Sequence, residues 1–278
     1  MAENKKRKWL VITAISMTGF ILTLCALLFY LYLLYTAGKE NNDLLESQEI
    51  GSDVVKPESR VSSESEIITD DENYIPKELI KSESSGIDFT QLYEINSEIY
   101  AWLKVPNTLV DYPILQSDTD DMFYLKHNVY GQYSFAGAIY TERINKKDFT
   151  DPNTVIYGHN MMNNTMFTTL HRFRDPKFFE ENEYIYVYLP GRKLTYHIFS
   201  AYEYDNRHIL HSFDFNDKDE YKKYLEYAQN PTNTITRNTR KIKIKADDKI
   251  ITLSTCMDAN DFSRYIVQGV LVEDEPTN

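Results

Sequence analysis

Residues 9–38 contain no charged side chain. Leu, Ile, Val, Phe and Ala dominate the run, and Tyr30, Tyr32 and Tyr35 crowd its far end. A helix needs about 20 consecutive apolar residues to span a bilayer, so the run is long enough. Lys5, Lys6, Arg7 and Lys8 precede it, and an acidic segment follows. Positive charge is retained on the cytoplasmic side, which keeps residues 1–8 inside and puts everything after residue 38 outside. The rival reading is a cleaved signal peptide, which has an apolar core of about 7–15 residues and a small-x-small cleavage site. Tyr35-Thr36-Ala37 fits such a site poorly, so 9–38 reads as an uncleaved transmembrane signal anchor.

That division makes the cysteines informative. Cys25 falls inside the span, and Cys256 is the single cysteine beyond it. An odd cysteine in an exported domain is a reactive thiol or half of an intermolecular bridge; the alternative is a buried, inert side chain. The formal net charge is -12, and residues 40–83 hold thirteen Asp or Glu against four Lys or Arg. This Ser-rich, aromatic-poor stretch has too little apolar surface to offset the entropy of ordering, so 39–87 reads as a flexible acidic tether. No large basic field exists to neutralise phosphates, which argues against nucleic acid as a partner. Residues 88–274 make one domain's worth of chain, with 275–278 as a short tail.

Within that domain the pattern is mainly β. Asp88 is placed to cap a short helix through Ile95, with Phe89, Leu92 and Tyr93 on one side. Strand-like runs lie at 100–105, 110–116, 136–141, 154–157, 184–189, 194–202, 250–255 and 265–272, with 242–244 as a further candidate. Pro106-Asn107-Thr108 and Pro190-Gly191 read as turns, and 118–125 as a helical turn. One longer helix interrupts the series. In NDKDEYKKYLEYAQNP, Asn216 is the expected cap, and Tyr221, Tyr224, Leu225 and Ala228 form one apolar stripe. Many short strands with few helices point to a closed or nearly closed β-barrel.

Cys256 ends the run TLSTC at the tip of a predicted strand, and Arg264 opens the next one. If the two strands pair antiparallel, the loop returns the guanidinium to the cysteine. A thiolate is the nucleophilic form of cysteine, and acyl transfer also needs an oxyanion partner and an acid for the leaving group. A permanently charged fork of donors suits the oxyanion; the bland alternative is a surface arginine paired with Asp258 or Asp261. Of six histidines, His159 is the one that closes a predicted strand, in TVIYGHN, with Gly158 expected to allow a sharp turn. His197 alternates within a strand, and His127, His171, His208 and His211 fall in predicted loops. His208 and His211, three apart, would hold a metal only with a helix and a third ligand, and the sequence identifies neither. Common zinc, calcium and phosphate-loop motifs are missing from the sequence, so no metal and no cofactor is expected.

TLSTC at 252–256, Arg264 after it, and YGHNM at 157–161 together resemble the sortases, membrane-anchored cysteine transpeptidases of Gram-positive bacteria. The resemblance spans 88–272. DFTQLYEINSEIYAWLKVPNTLVDYPILQ at 88–116, YLKHNVYGQYSFAGAIYTERIN at 124–145 and a helix at 216–229 between two late strands are similar to the class B group. It implies a closed eight-stranded sortase-type barrel with a short N-terminal helix and that one long helix. It also implies Cys256 as nucleophile, His159 as acid and base, and Arg264 as oxyanion partner. Ser254 and Thr255 are implied to line the substrate groove, with His208 and Ile209 near it. The implied partners are secreted proteins bearing a C-terminal sorting signal of the Asn/Ser-Pro-x-Thr-Asn/Gly type, a peptidoglycan amine, and the membrane itself. Two alternatives carry different signatures. A cysteine peptidase would release its product to water without needing an amine. A membrane-tethered adhesion or scaffold module would not depend on Cys256.

Overall fold

The computed structural model describes residues 21, 23–32, 35, 39, 87–232, 236–256 and 263–277. The basic tail 1–8 lies wholly outside them, and the expected anchor 9–38 and tether 39–87 do so for the most part. Residues 23–32 are helical. Among the described residues no helix is long and apolar enough to cross a membrane.

Helix α1 (Phe89–Ile95) starts where the Asp88 carboxylate accepts the N–H groups of Thr90 and Gln91, at 2.9 and 3.2 Å. Its buried Phe89 and Leu92 seat it against Ile99, Trp102, Leu115 and Tyr140. Among the described residues nine strands follow: β1 (Ile99–Lys104), β2 (Asp111–Leu115), β3 (Ile139–Tyr140), β4 (Asn153–Tyr157), β5 (Tyr184–Leu189), β6 (Arg192–Asp205), β7 (Arg237–Thr239), β8 (Ile250–Cys256) and β9 (Ser263–Pro276). Their order is β5-β1-β2-β3-β4-β8-β9-β6, and β6 pairs back to β5. Eight strands therefore close into a barrel, as expected, and closure leaves no long edge to template aggregation. The short β7 adds to β6 outside that ring.

Alternation along the strands sorts side chains into two layers. Ile251 and Leu253 of β8, Ile156 of β4 and Val267 of β9 fill the barrel interior. Ile250, Val155, Ile266 and Val270 point the other way, into the layer under helix α4 (Lys218–Gln229). The predicted stripe of α4, Tyr221, Tyr224, Leu225 and Ala228, is buried there. Its cap is Asp217 and not Asn216: the Asp217 carboxylate accepts from the N–H groups of Asp219 and Glu220, at 2.9 and 3.0 Å. Asn216 is instead held in a local turn, donating its backbone N–H to Asp214 Oδ1 at 2.9 Å. The β5–β6 hairpin uses the expected two-residue loop, with Gly191 at φ +68°.

Several expectations move. The strand expected at 136–141 shrinks to the two residues of β3, and 242–244 forms no strand, while 237–239 does. Helix α2 (Pro176–Glu181), helix α3 (Ile209–Ser212) and a 3-10 stretch at Thr168–Arg174 were not anticipated.

The long β6–β9 ladder ends in a two-point clamp. Arg192 Nε and Nη2 donate to Asp274 Oδ1 and Oδ2 at 2.7 and 2.8 Å. The hydrogen bond from Arg192 holds the Asp274 carboxyl below its ordinary range. A lowered folded value gives stability that is present above the unfolded carboxylate value and lost as pH falls through the folded one. Being half exposed, the clamp contributes about 0.2–1 kcal/mol. Asp274→Asn is expected to lower the urea midpoint slightly at pH 7, with the deficit shrinking as pH falls through the folded carboxyl value. A deficit that persists in acid would assign the effect to something other than charge.

Candidate active site

Two parallel neighbours set up the site. β4 and β8 run in the same direction with Tyr157 level with Ser254, so both strands deliver their C-terminal ends to one rim. Past β4 comes Gly158 and then His159; at the tip of β8 come Thr255 and Cys256. β9 returns antiparallel, and Arg264 is the ladder partner of Cys256. Directly paired positions in such a ladder have Cα atoms about 4.5–5.5 Å apart. On its other side Arg264 is paired with Tyr204 of β6. Asp258 and Asp261, the alternative partners for Arg264, lie outside the described residues.

Gly158 is present for space and not for a turn. It is not among the residues with positive φ. A Cβ added there would lie 2.5 Å from Ile139 Cδ1 and 2.7 Å from Phe167 Cγ. Phe167 also donates its backbone N–H to the His159 carbonyl at 2.9 Å, which fixes the chain on both sides of the histidine. Gly158→Ala is therefore expected to cost about 1–3 kcal/mol through overpacking. Denaturant unfolding measures this, and an unchanged midpoint would show that the packing yields.

The His159 ring is half-buried, and its Nε2 lies 2.8 Å from the Leu125 carbonyl oxygen. A carbonyl only accepts, so Nε2 carries the proton. The lone pair of the neutral ring is then on Nδ1, and a proton taken up or given away moves at that atom. Phe135 stacks over the ring at 6.4 Å between centroids.

A groove of about 440 Å³ joins these parts. His159, Arg264, Ser254, Thr255, His208 and Ile209 all line it, with Leu125, Tyr140, Glu142, Tyr157 and Tyr204. Both lower-wall residues from β8 are buried, Ser254 and Thr255. Thr255 Oγ1 has no hydrogen-bond partner among the described residues, so a hydroxyl lies unused beside the strand tip. Ile209 is buried at the start of α3, and His208 Nε2 contacts Glu142 Oε1 at 2.8 Å. Burial first, and then the Glu142 charge, push the Tyr157 phenol far up, so it stays a neutral donor. Burial likewise pushes Tyr204 up to about 12. Two further hollows, of about 490 and 580 Å³, lie around α3 and α4; His159, Arg264 and β8 line neither.

The residue pattern and the family resemblance together single out seven positions. Six line this one groove, and the seventh, Cys256, is tied to it through its ladder partner. Glu142, Tyr157, Tyr204 and the Leu125 carbonyl were missed. Tyr157 sits in the YGHNM run already quoted, but nothing local marks Glu142 or Leu125, which arrive through tertiary packing. His197 lies within β6, its ring 5.1 Å between centroids from that of Tyr184.

A sortase domain model matches residues 103–272. Sortase B of Listeria monocytogenes is 33% identical over 188 residues, covering 66% of this chain and 74% of that protein. Sortase B of Staphylococcus aureus is 29% identical over 171 residues, covering 62% and 68%. Among solved structures, a mutant form of Clostridium perfringens sortase B superposes with a TM-score of 0.60 at 32% identity, over 67% of this chain and 87% of that one. With the closed eight-stranded barrel and the groove at its rim, these similarities establish that the chain belongs to the sortase family, in its class B group, and is an enzyme of the transpeptidase type.

Proposed function

We propose that this chain cuts a C-terminal sorting signal of the Asn/Ser-Pro-x-Thr-Asn/Gly type after the Thr and joins the cut protein to a peptidoglycan amine. Cys256, as thiolate, attacks the Thr carbonyl carbon. The carbonyl π electrons move to oxygen, and Arg264 with a backbone N–H stabilises the oxyanion. Collapse breaks the peptide bond, and His159 delivers its Nδ1 proton to the departing amine, leaving a thioester on Cys256. An amine from a wall precursor or cross-bridge then attacks the thioester and gives its proton to His159. The thiolate leaves, and an amide results. One imidazole serves as acid and then as base. Ser254, Thr255, His208 and Ile209 are assigned to the substrate-facing wall.

The observation that carries this reading is the meeting of the β4 and β8 ends at one rim, with Arg264 across the ladder from Cys256. Residues 9–38 are assigned as the anchor and 39–87 as the tether that holds the 88–274 domain outside the membrane. At roughly 5–6 Å × √n the tether gives a reach of a few tens of Å. The test is incubation of the chain with a small panel of sorting-signal peptides, with and without an added amine, followed by mass spectrometry. A ligated product that appears only with the amine is expected. Cleavage with water as sole acceptor at saturating amine would make the protein a peptidase.

A further inference from the structure

Beyond the transpeptidase reading, we propose that Glu142, His208 and His211 form a three-ligand site for a borderline transition-metal dication, represented by Zn2+, in the wall of the groove. With one atom taken from each residue, the ligand atoms all lie within 4.8 Å of one another. Three separate features bring them together. Glu142 follows β3 and is buried, with 5% of its surface exposed. His208 caps α3, and His211 lies three residues on, one turn along the same helix face. The two imidazole rings are 4.2 Å apart between centroids. The helix and third ligand that the sequence does not reveal are thus both present.

The chemistry of the donors selects the ion. Two imidazoles and one carboxylate suit zinc and its neighbours, whereas calcium and magnesium prefer all-oxygen shells. Three protein ligands with an open fourth position is the arrangement of reactive zinc sites. His208 Nε2 and Glu142 Oε1 lie 2.8 Å apart, so an ion seated there takes the place of the proton between them, with a neutral imidazole and a carboxylate as its ligands. Tetrahedral zinc with bonds of about 2.0–2.1 Å wants ligand atoms roughly 3.3 Å apart, so rotation of the exposed His211 side chain supplies most of the closure. The neighbouring cation Arg143 is held by Asp121, Nε to Oδ1 at 3.0 Å, which offsets its charge. Because Glu142 and His208 line the groove, an ion there pins α3 to the chain that follows β3.

The experiment uses the full chain carrying Cys256→Ala, so that the thiol is not a ligand and no turnover is needed. Zn2+ is titrated against a chromophoric chelator, and Co2+ absorption reports coordination geometry. One equivalent of Zn2+ per chain is expected, with a tetrahedral Co2+ spectrum. His211→Ala and Glu142→Gln, each added to that background, are expected to weaken binding at least tenfold. No uptake at micromolar Zn2+, or equal affinity after either substitution, would overturn the proposal. Uptake restored only when Cys256 is present would also overturn it. None of these outcomes bears on peptide ligation, so failure here leaves the transpeptidase reading standing.

Discussion

Cys256→Ala is expected to bring both peptide cleavage and amine transfer to background. The loss should be on the order of 10³-fold or more, as when the nucleophile of a concerted site is removed. The two activities must fall together, because one thioester is common to both. His159→Ala is expected to fall nearly as far, since the leaving amine loses its only proposed acid. Arg264→Lys keeps the charge but loses the planar fork, and is expected to reduce kcat by about 10²–10³-fold with little change in KM. Double variants should be far from additive, because the groups act on one transition state. Steady-state assays with a fluorogenic sorting-signal peptide measure all of these. A scaffold role predicts no dependence on Cys256, and retained activity in Cys256→Ala would support it.

Gln268→Leu is expected to be the most destabilising single change outside the apolar core. Gln268 is fully buried on β9. Its amide donates to Tyr224 Oη and Thr252 Oγ1, both at 2.8 Å, and its Oε1 accepts from Tyr202 Oη at 3.1 Å. Thr252 passes its own proton to Asn153 Oδ1 at 2.8 Å. One amide thus ties α4, β6, β8 and, through Thr252, β4 into a single network. Leucine fills much of the volume but leaves two phenols and a threonine hydroxyl without this partner. Thr252 keeps its bond to Asn153, and each of the two stranded phenols costs about 1–3 kcal/mol, so a loss of about 2 kcal/mol or more is expected. Urea unfolding measures it. A loss below about 1 kcal/mol would mean that the phenols find other partners or water.

The fold was legible where local chemistry and global packing agree. The β5–β6 hairpin follows from Pro190-Gly191, and α4 from the stripe Tyr221, Tyr224, Leu225 and Ala228. Where two adjacent residues competed, sequence chose wrongly: Asn216 and Asp217 are both good caps, and the contact of Asn216 with Asp214 decides between them. Helix α2 was legible and overlooked, since Asp175 followed by Pro176 is a cap with proline at the first helical position. The 14 residues of β6 could not be read as one strand. Register shifts between Thr195 and Tyr196 and between Ile198 and Ser200 break its alternation. At the site, strand ends flagged Cys256 and His159 because a strand end is a sequence feature. Glu142 carries no such mark. It matters only because a parallel β2–β3 pairing brings residue 142 to the wall opposite α3, and no local pattern encodes a parallel pairing.

The decisive experiment is to trap the acyl-enzyme. The chain is mixed with a sorting-signal peptide in the absence of amine, quenched in acid within seconds, digested and analysed by mass. A peptide covering 250–264 should carry the mass of the substrate's N-terminal portion up to Thr, attached through Cys256. Hydroxylamine or a wall-type amine should release it. An adduct on any other residue, or peptide cleavage with Cys256 unmodified and dispensable, would contradict a thioester at the rim of this barrel.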